Sequence, residues 1–303
     1  MIKKIISFIC ISIISISLVY ADTSAGTNYI LDQYPSNLKI TVSLTKLKSS
    51  VVKCIKVRRS SDNFEQEFSY DLSGKLDLAS LSAFVGTGAT DQGYVTIWYS
   101  QIDSNNFTQT SGTLQPQIVI DGVVVVDNNG NPSIQFDGVN DNLISTSAIS
   151  ISDTHTLHFV YSKPDDVRRT LLGCENVAGI GQWESAVQYS TTYGLGGALT
   201  IAGVYVGFFN DISILNTTKV ITFSRNGLVA PEAYRNNIYL NRSVVAASNE
   251  TEATAGNAIR RIGRRDASQQ FFNGKISTII VRDEYNVSTM QTLIAYLKLL
   301  NCI

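Results

Sequence analysis

From Tyr94 onward the chain is a succession of short β-rich runs: TIWYS (Thr96 to Ser100), QIVIDG, VVVVD, SIQFDG, TLHFVYS, SAVQYS, AGVYVGFF, VITFSR, NIYLN and KISTIIVRD. Gly, Asn, Asp and Pro turns such as DNNGNP separate them. Many short strands with turn residues between them build sandwiches or barrels. A parallel sheet needs a helical crossover between strands, and the chain shows no such rhythm and no periodic repeat. Only 16% of residues are charged, while Val, Ile, Thr, Tyr and Phe are frequent, so composition points the same way.

Three short helices are expected around the strands. The first is placed near Val42 to Ser49. The second starts at Asp77, a good N-cap, with Leu78, Leu81 and Val85 on one face and Gly86 as the stop. The third closes the chain. Ser288 and Gln291 form a capping box, and Met290, Leu293, Ile294 and Leu297 follow i, i+3, i+4, i+7 spacing. That stripe should pack on the sandwich rather than on a membrane. Ser145 to Asp153 reads as a connection within one sandwich.

The N-terminus has the layout of a secretory signal peptide over residues 1–21. Lys3 and Lys4 precede an apolar run from Ile5 to Val19, and Val19-Tyr20-Ala21 offers a cleavage site. As a membrane anchor the run is short and interrupted by four serines. Residues 22–28 then form a short tether and residues 29–303 one domain, secreted and not membrane-bound in the mature form. Removing the signal takes Cys10 and leaves Cys54, Cys174 and Cys302, so at most one internal bridge. Such a bridge adds roughly 2–4 kcal/mol, and the sequence does not choose the pair.

Several function classes drop out. A net charge of −1 does not suit a nucleic-acid binder. The basic clusters Lys53, Lys56, Arg58, Arg59 and Arg260, Arg261, Arg264, Arg265 read as solvated strand faces with acidic partners. No metal or other cofactor is expected, because the two histidines, His155 and His158, fall on opposite faces of one strand. No nucleophile elbow, P-loop, HExxH or dinucleotide fingerprint occurs.

The stretch from IKVRRSSDNFEQEF to GYVTIWYSQIDSNNFTQ (Ile55 to Gln109) resembles the opening of the catalytic sandwich of secreted α-L-arabinofuranosidases of glycoside hydrolase family 54. SLTKLKSS (Ser43 to Ser50) is similar to that family's opening helix, and VRRSSDN (Val57 to Asn63) to its first strand and turn. GQWESAVQYSTTYGLG (Gly181 to Gly196) and RIGRRDASQQFFNG (Arg261 to Gly274) resemble further segments of it. SIQFDGVNDNLIS (Ser133 to Ser145) and FFNGKISTIIVRD (Phe271 to Asp283) are similar to motifs that open and close concanavalin A-like, laminin G-like folds. The resemblance implies an all-β, two-sheet jelly-roll sandwich with a few short helices, and carbohydrate, arabinose-containing in that family, as the partner.

It also implies where chemistry would sit. A retaining glycosidase needs two carboxylates, a nucleophile and an acid/base. The family's acid falls on Asp266. Its nucleophile falls at Val206 to Phe208, and no glutamate occurs between Glu184 and Glu232. Asp211 and Glu184 are the substitutes to consider, while Ser100 stands where the family has Asp. Trp98, Tyr99, Trp183 and Tyr193 are the candidate sugar-contacting aromatics, because a sugar's C–H face packs on a ring. The expectation is a glycan-binding protein rather than a hydrolase. The alternatives are an active α-L-arabinofuranosidase and a surface adhesion or structural module that binds protein.

Overall fold

The computed structural model of the chain describes residues 29–165, 169–174, 184–190, 194–201, 204–206, 215–227, 236–248, 258–265 and 271–303. Its strands, in chain order, are β1 (Leu38–Ser43), β2 (Lys53–Arg59), β3 (Glu65–Ser69), β4 (Gly93–Trp98), β5 (Phe107–Thr108), β6 (Gln117–Ile120), β7 (Val123–Val124), β8 (Ile134–Asp137), β9 (Leu143–Ser150) and β10 (His155–Ser162). They continue as β11 (Arg169–Cys174), β12 (Glu184–Ser190), β13 (Gly194–Ile201), β14 (Val204–Val206), β15 (Lys219–Arg225), β16 (Asn236–Leu240), β17 (Ser243–Ser248), β18 (Ala258–Ile262) and β19 (Asn273–Arg282). The α-helices are α1 (Ile30–Gln33), α2 (Leu78–Val85) and α3 (Val287–Leu300).

The strand pairs are antiparallel, and the ladder forks at β4. One branch runs β6, β8, β19, β10, β15, β16, β17, with β1 also on β19. The other runs β5, β9, β18, β11, β12, β13, β14. The two branches are the two sheets of the expected jelly-roll sandwich. Between them lies a core that includes Val57, Val95, Trp98, Phe136, Phe159, Leu172, Phe223, Ile262 and Ile279. A second cluster lies under α3, where Met290, Leu293, Ile294 and Leu297 pack with Val160, Val220 and Ile280. β10 is buried on both faces because it serves both clusters.

α2 forms as the sequence implies. Asp77 accepts a hydrogen bond from Ser80 N–H, and Gly86 ends the helix at φ +101°. α3 buries the expected stripe, but its cap is Asn286, which accepts from Thr289 N–H. Ser288 lies inside the first turn. Ser145 to Asp153 is no mere connection: β9 covers most of it, pairing β18 on one side and β5 on the other.

The helix expected near Val42 to Ser49 does not form. Leu38–Ser43 is strand β1, whose β-branched Ile40, Thr41 and Val42 pair with β19. The next residues find their hydrogen bonds elsewhere. Leu47 N–H donates to Gln101 Oε1, and Gln101 Nε2 donates to the carbonyls of Ser43 and Thr45. Gln101 is 2% exposed, so its amide replaces the partners a helix would have supplied. Gln101→Ala would leave Leu47 N–H and Thr45 O without these partners, while Ser43 O keeps the Tyr70 hydroxyl. A loss of about 2–4 kcal/mol in urea-melt stability is expected, against less than about 1 kcal/mol for exposed Ser104→Ala.

Candidate functional site: a polar cleft on the outer face of the sheet

Alternation along β2, β4, β6 and β8 turns Val57, Val95, Ile118 and Phe136 into the core. The opposite face carries a row of polar side chains. Arg58 pairs in register with Tyr94, Tyr94 with Gln117, and Gln117 with Gln135. A 3-10 turn (Gly112–Leu114) with Gln115, and the loop after β8, rise as walls around this row. They enclose a cleft of about 410 Å³ lined by Arg58, Ser60, Tyr94, Gly112, Thr113, Gln115, Gln117, Asp137 and Asp141.

One wall is held by Arg58. Its guanidinium stacks over the Tyr94 ring at 4.6 Å. Nε donates to Gln115 Oε1 at 2.8 Å, Nη1 to Asn63 Oδ1 at 2.7 Å and Nη2 to Gly112 O at 3.3 Å. Gln115, 4% exposed, is fixed in turn by donating to Gln109 O. The other cations of this cluster are paired as expected: Lys53 with Glu67, Lys56 with Glu65 and Arg59 with Asp62. Arg58 makes no ion pair among the described residues.

The facing wall is the Asp137–Asp141 loop. Asp137 Oδ1 accepts from the N–H groups of Val139, Asn140 and Asp141, and Asp141 Oδ2 accepts from Asp137 N–H at 2.9 Å. The loop is braced from behind, where Arg169 donates to Gly138 O and ion-pairs with Asp165 at 2.7 Å. Gly263 must pass the neighbouring ring: at φ +83°, a Cβ there would sit 2.5 Å from Phe136. Asp141 is 6% exposed. Burial, then the charge of Asp137, pushes its carboxyl up to about 7.

That shift sets a pH dependence. The unfolded Asp141 ionises near 3.8, so the folded form holds a proton that the unfolded form has lost between about pH 4 and 7. This term favours the fold at low pH and is lost as pH rises through 7. Asp141→Asn keeps an acceptor for Asp137 N–H and cannot ionise. It is expected to gain on the order of 2–4 kcal/mol over wild type at pH 8 and far less at pH 4, by urea melts at both values.

Trp98 is fully buried in the core, so its ring presents no face to a ligand. Tyr99 is half-buried away from the cleft; its hydroxyl donates to Glu67 at 2.6 Å and Lys53 lies over its ring. Ser100 Oγ donates to Asp103, closing its own loop. Glu184 opens β12, in register with Gly173 and Thr200. Asp211, Asp266, Trp183 and Tyr193 lie outside the described residues. Among the described residues no cluster of His, Cys, Asp and Glu could hold a metal, and no helix is long and apolar enough to cross a membrane. His155 and His158 are both fully buried. Cys54 is buried and free, and Cys302 is exposed and free.

No protein-family model matches the sequence, and no curated protein matches it. Solved structures do. The chain is similar to a family 54 α-L-arabinofuranosidase soaked with a cyclic sulfate inhibitor, at 16% identity and a TM-score of 0.63, over 88% of this chain and 63% of that one. It is also similar to an arabinofuranosidase complexed with arabinofuranosyl-α-1,2-xylobiose, at 16% identity and a TM-score of 0.64, over 88% and 64%. This chain therefore spans less than two thirds of the length of these structures. At such identity the likeness shows a shared sandwich fold.

Proposed function

We propose that the protein is a carbohydrate-binding β-sandwich and that the cleft between Arg58 and Asp141 holds the sugar. The observation that carries this is the make-up of the cleft walls. One aromatic ring, Tyr94, sits among Arg58, Ser60, Thr113, Gln117, Asp137 and Asp141. A sugar presents a C–H face for a ring and hydroxyls that need both donors and acceptors. A guanidinium, amides, hydroxyls and carboxyls supply both.

Binding rather than hydrolysis is the reading the sequence supports. The stretch matched to the family's nucleophile carries no glutamate, and a valine such as Val206 cannot form a glycosyl ester. The N-terminal segment supports a reading in which the protein is exported and meets its sugar outside the cell. The fold shared with arabinofuranosidases supports an arabinose-containing polysaccharide among the ligands to try first.

Two measurements test this together. Calorimetric titration with a panel of plant-type oligosaccharides is expected to show saturable binding, weakened about tenfold or more by Tyr94→Ala. An aryl α-L-arabinofuranoside is expected to give no turnover. Turnover abolished by Asp266→Asn would establish a hydrolase instead, and no binding by any oligosaccharide would remove the carbohydrate reading.

A further inference from the structure

We infer that the sugar taken by this cleft is an acidic one: the site recognises a uronic acid residue through a carboxylate–Arg58 pair. The inference rests on the reading of the cleft as a carbohydrate site and adds the chemical class of its ligand.

Arg58 is the one member of its basic cluster with no carboxylate partner among the described residues, although carboxylates lie close by. Glu65 stands opposite Arg58 on β3 but bonds Lys56 at 2.7 Å. Asp62 bonds Arg59 at 2.6 Å. Asp137 Oδ1, across the cleft, is taken by backbone N–H groups. The three acceptors that do hold Arg58 are neutral: two amide side chains and one carbonyl. They orient the guanidinium without neutralising it. A guanidinium has five N–H donors; three are used, which leaves one on each terminal nitrogen. That pair of donors, on a plane stiffened by the Tyr94 stack, suits a ligand carboxylate. A neutral sugar would offer these donors only hydroxyl oxygens, which make weaker bonds than a carboxylate does.

The facing wall fits the rest of such a residue. Asp141 retains its proton to about pH 7, so the loop opposes an anionic ligand with one negative charge rather than two. Asp137 and Asp141 then face sugar hydroxyls, with Ser60 and Gln117 between the walls and Thr113 on the opposite one. The cleft volume of about 410 Å³ falls within the usual range of roughly 300–1,000 Å³ for small-molecule sites.

The test is calorimetric titration of the full mature chain with a trigalacturonate and with its carboxyl-reduced, neutral counterpart. The acidic form is expected to bind about tenfold tighter or better, and the preference to shrink as salt rises. Arg58→Gln should abolish the preference, weakening the acidic form about tenfold or more beyond any loss seen with the neutral form. Arg58→Lys, which keeps charge and stem but loses the planar fork, should reduce it about threefold or more. Should Arg58→Gln not fold, the lysine variant decides. Equal binding of both forms would overturn the inference and leave the carbohydrate reading standing. An unchanged preference in either Arg58 variant would overturn it too, by placing acid recognition elsewhere. No binding by these two or by any neutral oligosaccharide would overturn both.

Discussion

Acidification from about pH 6.5 to pH 4 is expected to cost this fold on the order of 3 kcal/mol, through two buried histidines. His155 and His158 are fully buried. Burial, helped by the charges of Arg225 and Arg282 respectively, lowers the first to about 4 and the second to about 3. An unfolded histidine titrates near 6.5, so below that pH the unfolded chain binds protons that the fold refuses. Stability from each is complete above 6.5 and is lost as pH falls toward the folded value. Between pH 4 and 6.5 Asp141 acts with the opposite sign, since the fold holds its proton and the unfolded chain does not. Two histidines against one aspartate leave a net slope of one proton, with stability rising with pH.

His158 isolates the effect. Its Nδ1 meets Thr222 Oγ1 at 2.9 Å on the face of β10 that α3 covers. Replacing both partners, His158→Leu with Thr222→Val, removes the bond without leaving either group orphaned. The double variant is expected to match wild type within about 1 kcal/mol at pH 7 and to exceed it by about 2–3 kcal/mol near pH 4. Urea midpoints across pH measure this, and a wild-type profile in the double variant would refute the assignment.

Trp98→Ala should be the most damaging single core change, at about 3–5 kcal/mol. Trp98 ends β4 where the two sheets diverge, in register with Ile55 on β2 and Phe107 on β5. Its ring is fully buried and its Nε1 has no hydrogen-bond partner among the described residues. The loss is therefore packing, with no hydrogen bond to add to it. Trp98→Phe removes an unsatisfied donor and leaves a smaller void, so it should cost about 2 kcal/mol or less. Tyr99→Phe, which gives up one half-exposed bond to Glu67, should cost under about 1 kcal/mol. Chemical denaturation ranks the three; a mild Trp98→Ala would mean that the fork of the ladder is held some other way.

The strand runs were legible because alternation, turn residues and β-branching agree along each of them. α2 was legible from its cap and stop. The segment after Val42 was not. Its lysines and leucines favour helix locally, but β19 claims the first half and Gln101, more than fifty positions away, satisfies the second. The α3 cap moved two residues because Asn286, not Ser288, takes the extended conformation a cap requires. The cleft was beyond reach of motif reading. Arg58, Tyr94 and Gln117 meet only through the registers of β2, β4 and β6. SIQFDGVND was recognisable as a fold motif, yet nothing local announces that its two aspartates face a guanidinium from another strand.

The central claim is that a sugar binds between Arg58 and the Asp137–Asp141 loop. A crystal of the mature chain soaked with the tightest oligosaccharide from the calorimetric panel tests it most directly. A sugar ring is expected in the cleft beside the Arg58–Tyr94 stack, with hydroxyls or a carboxylate on Arg58, Gln117 and the Asp137–Asp141 loop. An oligosaccharide bound elsewhere on the sandwich, with this cleft empty at saturating ligand, would contradict it.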